Sequence, residues 1–186
     1  MIQLEEKSIM FGRIVSLLVV AAVVFGGVPY KIKAQKRADQ YLKPFVESSL
    51  QFSGSLDTLL NKEDVILEPE LHEIQRKMTH FIDTALDLEN TYFSEIKNFD
   101  RFRSALNHMQ NRFRAIYQAY QEGKQLYPSE YTFFYRINDS VNKLLGQIQN
   151  KDGEFRREVY NKNYFSQAMM EFVNGVTSRE KLQMDS

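Results

Sequence analysis

Residues 71–92, LHEIQRKMTHFIDTALDLENTY, decide the fold class. Leu71, Ile74, Met78, Phe81, Ala85, Leu88 and Tyr92 recur at alternating steps of three and four. That spacing gathers apolar side chains on one stripe of a helix and leaves His72, Arg76, Asp83 and Asp87 on the opposite side. Pro69 suits the first turn, where a missing N–H costs nothing, and Glu68, Glu70 and Glu73 lie where the helix dipole favours negative charge. After Ile96 the alternation resumes through Phe99, Phe102, Leu106, Met109, Phe113, Ile116 and Tyr120, and Gly123 supplies a stop. No Pro or Gly interrupts 70–122, so the spacing favours one long helix over 69–122. The extra four-residue step from Tyr92 to Ile96 shifts the stripe, and Asn98 and Asp100 offer a break or kink at 97–100.

Outward from this centre the same periodicity returns. Leu42, Phe45, Phe52, Leu56 and Leu59 predict a helix over 42–60, loosened by Ser53-Gly54-Ser55. QLYPSEY (125–131) reads as a turn with Ser129 as cap. Phe134, Ile137, Val141, Leu144 and Ile148 predict a last helix, with a weaker stripe through Phe155, Val159, Met169 and Phe172. No strand alternation and no repeat of solenoid length occurs. The expected fold is all-α: one N-terminal transmembrane helix, then an elongated antiparallel bundle of three to four helices. The expected boundaries are a tail at 1–13, the membrane helix at 14–30, a basic juxtamembrane segment at 31–41, the bundle at 42–174 and a polar tail at 175–186.

The membrane expectation rests on IVSLLVVAAVVFGGV, fifteen residues from Ile14 to Val28 whose only polar member is Ser16. Alone it is about 22 Å of helix, short of the ~30 Å hydrocarbon core. Counted from Ile9 to Tyr30 the segment has 22 residues, about 33 Å, with Arg13 able to reach the headgroups along its stem. The anchor is assigned to Ile14, Leu17, Leu18, Val19, Val20, Val23, Val24 and Phe25. A cleaved signal is the competing reading, with Val24-Phe25-Gly26 a loose cleavage match, and a buried core helix is the third. Lys31, Lys33, Lys36 and Arg37 follow the span and outnumber Lys7 and Arg13 before it. This excess is expected to hold the bundle in the cytoplasm, while the thirteen-residue tail is short enough to cross; an extracytoplasmic bundle is the alternative. The same four cations fit anionic headgroups. Ala22 and Gly26 form a small-xxx-small pair that leaves a homo-oligomer open, although such pairs are common in apolar helices.

Composition narrows the chemistry. The 186 residues include 14 Phe and 10 Tyr but no Trp and no Cys, so disulfides, thiolate metal sites and cysteine nucleophiles are excluded. Residues 1–37 hold six Lys/Arg against Glu5 and Glu6, while the remainder holds 18 basic and 22 acidic residues. An acidic remainder is a poor match for nucleic acid. His72 and Glu73 begin an HExxH-like run, but Arg76 occupies the place of the second histidine. His72 and His80 are about 12 Å apart along a helix, too far to share an ion. No G-x-S-x-G, no phosphate loop and no Glu-x-x-His is present. Asp83 and Asp87 fit a solvated face, and YTFFY (131–135) fits bundle-end packing more readily than base or ligand stacking. No catalytic residue, metal or cofactor is predicted.

The carboxy-terminal half carries a further pattern: Tyr127-Pro128, then VNKLLGQIQ (141–149), then GEFRREVYN (153–161) ending in Tyr160-Asn161. This resembles the LemA family of bacterial membrane-anchored proteins over about residues 126–165. Gln167-Ala168 stands where that family repeats its YN pair, and 31–67 has no counterpart of its tryptophan-rich first helix. The resemblance implies an anchored helical domain in the bacterial inner membrane, with no catalytic residues to carry over. The expected function is a non-enzymatic scaffold or accessory subunit whose partners are membrane lipid and protein helices. An extracytoplasmic sensory or ligand-binding bundle is the alternative.

Overall fold

The computed structural model describes residues 36, 38–62, 67–89 and 96–178. The chain divides into two units, 1–39 and 40–186. Of the first, residues 36, 38 and 39 are described, all helical; the apolar run and the basic residues Lys31, Lys33 and Arg37 lie outside the described residues. Among the described residues the protein is all-helical, and no helix is long and apolar enough to cross a membrane.

Among the described residues there are five α-helices rather than the three or four expected. Helix α1 includes residues 38–60 and so already runs ahead of the predicted start at 42. It is followed by α2 (Glu68–Glu89), α3 (Phe99–Gln121), α4 (Pro128–Ile148), a 3-10 turn (Arg157–Tyr160) and α5 (Lys162–Thr177). The long helix predicted over 69–122 is two helices. Helix α2 runs to Glu89 and α3 begins at Phe99; Asn98, the residue before α3, has φ 71°, a left-handed conformation that a short polar side chain tolerates. The Asn98 carbonyl then accepts from Arg101 N–H (3.0 Å) to open α3.

Gly123 stops α3 as its type suggests. It has φ 84°, its N–H donates to Tyr120 O (2.9 Å), and Lys124 N–H reaches back to Ala119 O (3.1 Å). Helix α4 starts one residue before the predicted cap. Tyr127 is the cap residue, Pro128 takes the first turn, and the Glu130 carboxylate accepts from Tyr127 N–H (2.6 Å). Ser129 is therefore inside the helix. The weak stripe beyond Ile148 divides: Phe155 lies in the connection, Val159 in the 3-10 turn, and Met169 and Phe172 in a separate α5, capped by Asn161 Oδ1 accepting from Asn163 N–H (2.9 Å). Gly175 does not end this helix, which runs to Thr177.

Cross-helix contacts give the topology. Ser48 meets Thr84 and Lys62 meets Glu70, so α1 and α2 are antiparallel. Glu89 pairs with Arg103, and Leu67 N–H donates to the Tyr120 hydroxyl (3.1 Å), so α2 and α3 are antiparallel too. Phe113 lies against Phe134 with ring centres 6.0 Å apart, joining α3 to α4. Ser53 reaches Asn138, closing α4 onto α1. These four make an up-down-up-down bundle. Helix α5 packs on both α3 and α4. Ser166 donates to Lys97 O (2.7 Å) and Tyr164 to Gln147 O (3.1 Å), which lodges α5 between the start of α3 and the end of α4.

Phenylalanine fills the interior. Phe45 and Phe52 of α1 stack on Phe81 of α2 at 5.6 and 5.4 Å. Phe81 touches Phe172 of α5 (6.0 Å), which in turn meets Phe102 of α3 edge-on (5.4 Å). One row of rings thus ties four helices together, and offset or edge contacts of this kind add about 0.5–1.5 kcal/mol per pair beyond area burial.

Candidate functional site

The predicted site residues are mostly beyond description: Ile14, Leu17, Leu18, Val19, Val20, Val23, Val24 and Phe25, with Lys31, Lys33 and Arg37, lie outside the described residues, and Lys36 is exposed on a helix.

Glu73, neighbour of His72, is engaged by cations. Arg76 donates to it twice, from Nε (2.9 Å) and Nη2 (2.7 Å), and Lys77 lies 3.7 Å away. The Arg76 guanidinium holds the Glu73 carboxyl below its ordinary value. Glu73 therefore sits in a surface ion pair with two cations. Among the described residues no three His, Asp or Glu side chains converge as a metal site would require.

YTFFY divides. Phe133 and Phe134 are buried, with the Arg112 guanidinium 4.5 Å above the Phe133 ring, whereas Tyr135 is 65% exposed. The first pair follows the bundle-packing expectation. Tyr135 leaves it, because its turn of α4 faces away from the neighbouring helices. GEFRREVYN serves as a helix junction: Arg156 Nε donates to the last carbonyls of α4, Gly146 O (2.9 Å) and Gln149 O (3.1 Å), Val159 is buried, and Asn161 opens α5.

The α1–α4 seam is polar and was not legible in the sequence. Ser53 and Asn138 are buried, and the Ser53 hydroxyl lies 2.6 Å from Asn138 Oδ1 and 2.8 Å from Asn142 Oδ1, one hydrogen shared by two acceptors. Asn138 Nδ2 donates onward to Asp57 Oδ1 (2.5 Å). These hydrogen bonds tie α1 to α4 and fix their register.

The surface depressions are shallow. One of about 180 Å³ lies between α1 and α2 beside Ser55, Thr58, Pro69 and Glu70. Another of about 390 Å³ runs along α1 at Lys43, Val46, Glu47 and Leu50, facing Gly153 and Phe155. In the second, Leu50 is 53% exposed, whereas the other described leucines are buried or half-buried. Leu50 falls outside the apolar stripe of α1 and signals itself in the sequence only by that misfit. The surface thus offers an exposed aliphatic side chain on α1 and an exposed tyrosine on α4, and the α1–α4 seam is held by polar contacts.

Comparison with protein-family models, with characterised proteins and with solved structures gives no match in any of the three.

Proposed function

We propose that this chain is a non-enzymatic, single-pass membrane protein whose helical bundle is a scaffold or accessory subunit at the membrane surface. The observation that carries the reading is the apolar run from Ile14 to Val28, placed directly before a helical domain. Lys31, Lys33, Lys36, Arg37 and Lys43 after the run favour a cytoplasmic bundle and suit anionic headgroups as the first partner. Stiff helices with outward-facing Leu50 and Tyr135 suit protein helices as the second.

Two measurements test this. Membrane fractions washed with alkaline carbonate should retain the full chain, and detergent should release it. A carboxy-terminal reporter active only outside the cytoplasm should stay silent. Recovery of a freely soluble chain starting beyond Gly26 would overturn the anchor, and a strong external reporter signal would overturn the orientation.

A further inference from the structure

The outer face of α1 carries a second stripe besides the one that builds the core. Lys43, Glu47, Leu50, Gly54 and Asp57 follow steps of four, three, four and three, and all five are exposed. Leu50 is the central apolar member. Lys43 and Asp57 stand seven residues to either side of it with opposite charge, each about 10 Å along the axis. Gly54 is unexplained by the chain's own packing: a Cβ added there meets nothing within 4 Å, yet glycine inside a helix costs about 1 kcal/mol relative to alanine.

A twofold axis through Leu50 accounts for all of these features. Turning α1 end for end about that residue places Lys43 of each copy opposite Asp57 of the other, and Glu47 within one residue, about 1.5 Å along the axis, of Gly54. It also sets the two leucines side by side. The absent side chain at Gly54 then lets the helices approach. A parallel pairing would instead put Lys43 on Lys43 and Asp57 on Asp57, which like-charge repulsion opposes. Asp57 already accepts from Asn138 Nδ2 through Oδ1, and its carboxylate retains lone pairs for a cation. Lys43 has no ion partner among the described residues.

We infer that α1 is a self-association surface, and that a second copy of this chain packs antiparallel across it with Leu50 on the twofold axis. A stripe about 21 Å long covers less than the ~800 Å² per partner of a stable interface, so the pairing is weak and transient and needs trapping. The inference goes beyond the membrane reading and does not require it.

The chain has no cysteine, which makes disulfide trapping clean. Single Leu50→Cys, Lys43→Cys, Asp57→Cys and, as an exposed control on α2, Thr79→Cys variants of the full chain would be oxidised in membranes and in mild detergent. A disulfide needs Cα atoms about 4.4–6.8 Å apart, so only a residue beside the axis links to its own copy. Leu50→Cys is expected to dimerise at least fivefold faster than Thr79→Cys. Lys43→Cys and Asp57→Cys should link poorly alone but efficiently when mixed. Equal rates for Leu50→Cys and Thr79→Cys would overturn the surface, and self-linking at 43 and 57 as fast as at 50 would overturn the antiparallel geometry. If the chain fractionates as soluble yet Leu50→Cys links as expected, the anchor falls and this inference stands.

Discussion

Phe172 joins α5 to two other helices, its ring meeting Phe81 of α2 and Phe102 of α3. It is buried to 1% exposure. Phe172→Ala is expected to cost about 3–5 kcal/mol, a large share of the ~5–15 kcal/mol available to a domain; the shift in chemical denaturation midpoint measures it. Glu70 supplies a pH dependence. The hydrogen bond from Lys62 holds its carboxyl below the ordinary value of 4.5. A depressed folded-state value contributes stability above the unfolded value, and that contribution is lost as pH falls through the folded one. The deficit of Glu70→Gln relative to the parent is therefore expected at neutral pH, at about 1 kcal/mol or less, and should vanish in strong acid. Urea titrations of both proteins at neutral and acidic pH check the sign, and a deficit that grows on acidification would contradict it.

At the scale of elements, the contact between α4 and α5 depends on a missing side chain. A Cβ at Gly175 would run into Ser140 Oγ and come within 3.2 Å of Ser140 Cβ and 3.9 Å of its Cα. Ser140 is itself buried and its hydroxyl donates to Arg136 O (2.7 Å), so it has little room to turn aside. Gly175→Val should destabilise by about 1–3 kcal/mol through overpacking. Gly175→Ala combined with Ser140→Ala, which removes the nearest atom, Ser140 Oγ, should recover part of the loss seen for Gly175→Ala alone, measured by thermal melting. Recovery identifies steric conflict between the helices, and no recovery would contradict it. The element boundaries follow comparable local chemistry. Gly123 and Pro69 could be read from residue type, since one tolerates positive φ and the other sacrifices no donor. Asn98 was harder to read: asparagine accepts helical and left-handed conformations alike, and only the fold-back of α3 along α2 selects the second.

For the whole molecule, the row of rings from Phe45 through Phe81 and Phe172 to Phe102 predicts that the 40–186 unit unfolds in one cooperative step. The probes are far-ultraviolet circular dichroism for helix and near-ultraviolet dichroism of the tyrosines, nine of the chain's ten lying in this unit, free of tryptophan background. Coincident transitions are expected, and a separate early loss of helix would mean that α1 or α5 is an independent element. The all-helical class was determined by the sequence alone, because periodicity of three and four is a property of the chain itself and any helix must bury that stripe. The core positions Leu71, Ile74, Met78, Phe81, Phe102, Leu106, Met109 and Phe113 followed with it, and all are buried. Tertiary structure alone decided that 69–122 turns back on itself, that α5 is a helix inserted between α3 and α4, and that Ser53 and Asn138 meet. It also decided that Leu50 faces outward. Each of these depends on which stripe lies against which neighbour, and that choice is made by packing between segments distant in sequence, where short polar and apolar residues carry no local preference strong enough to announce it.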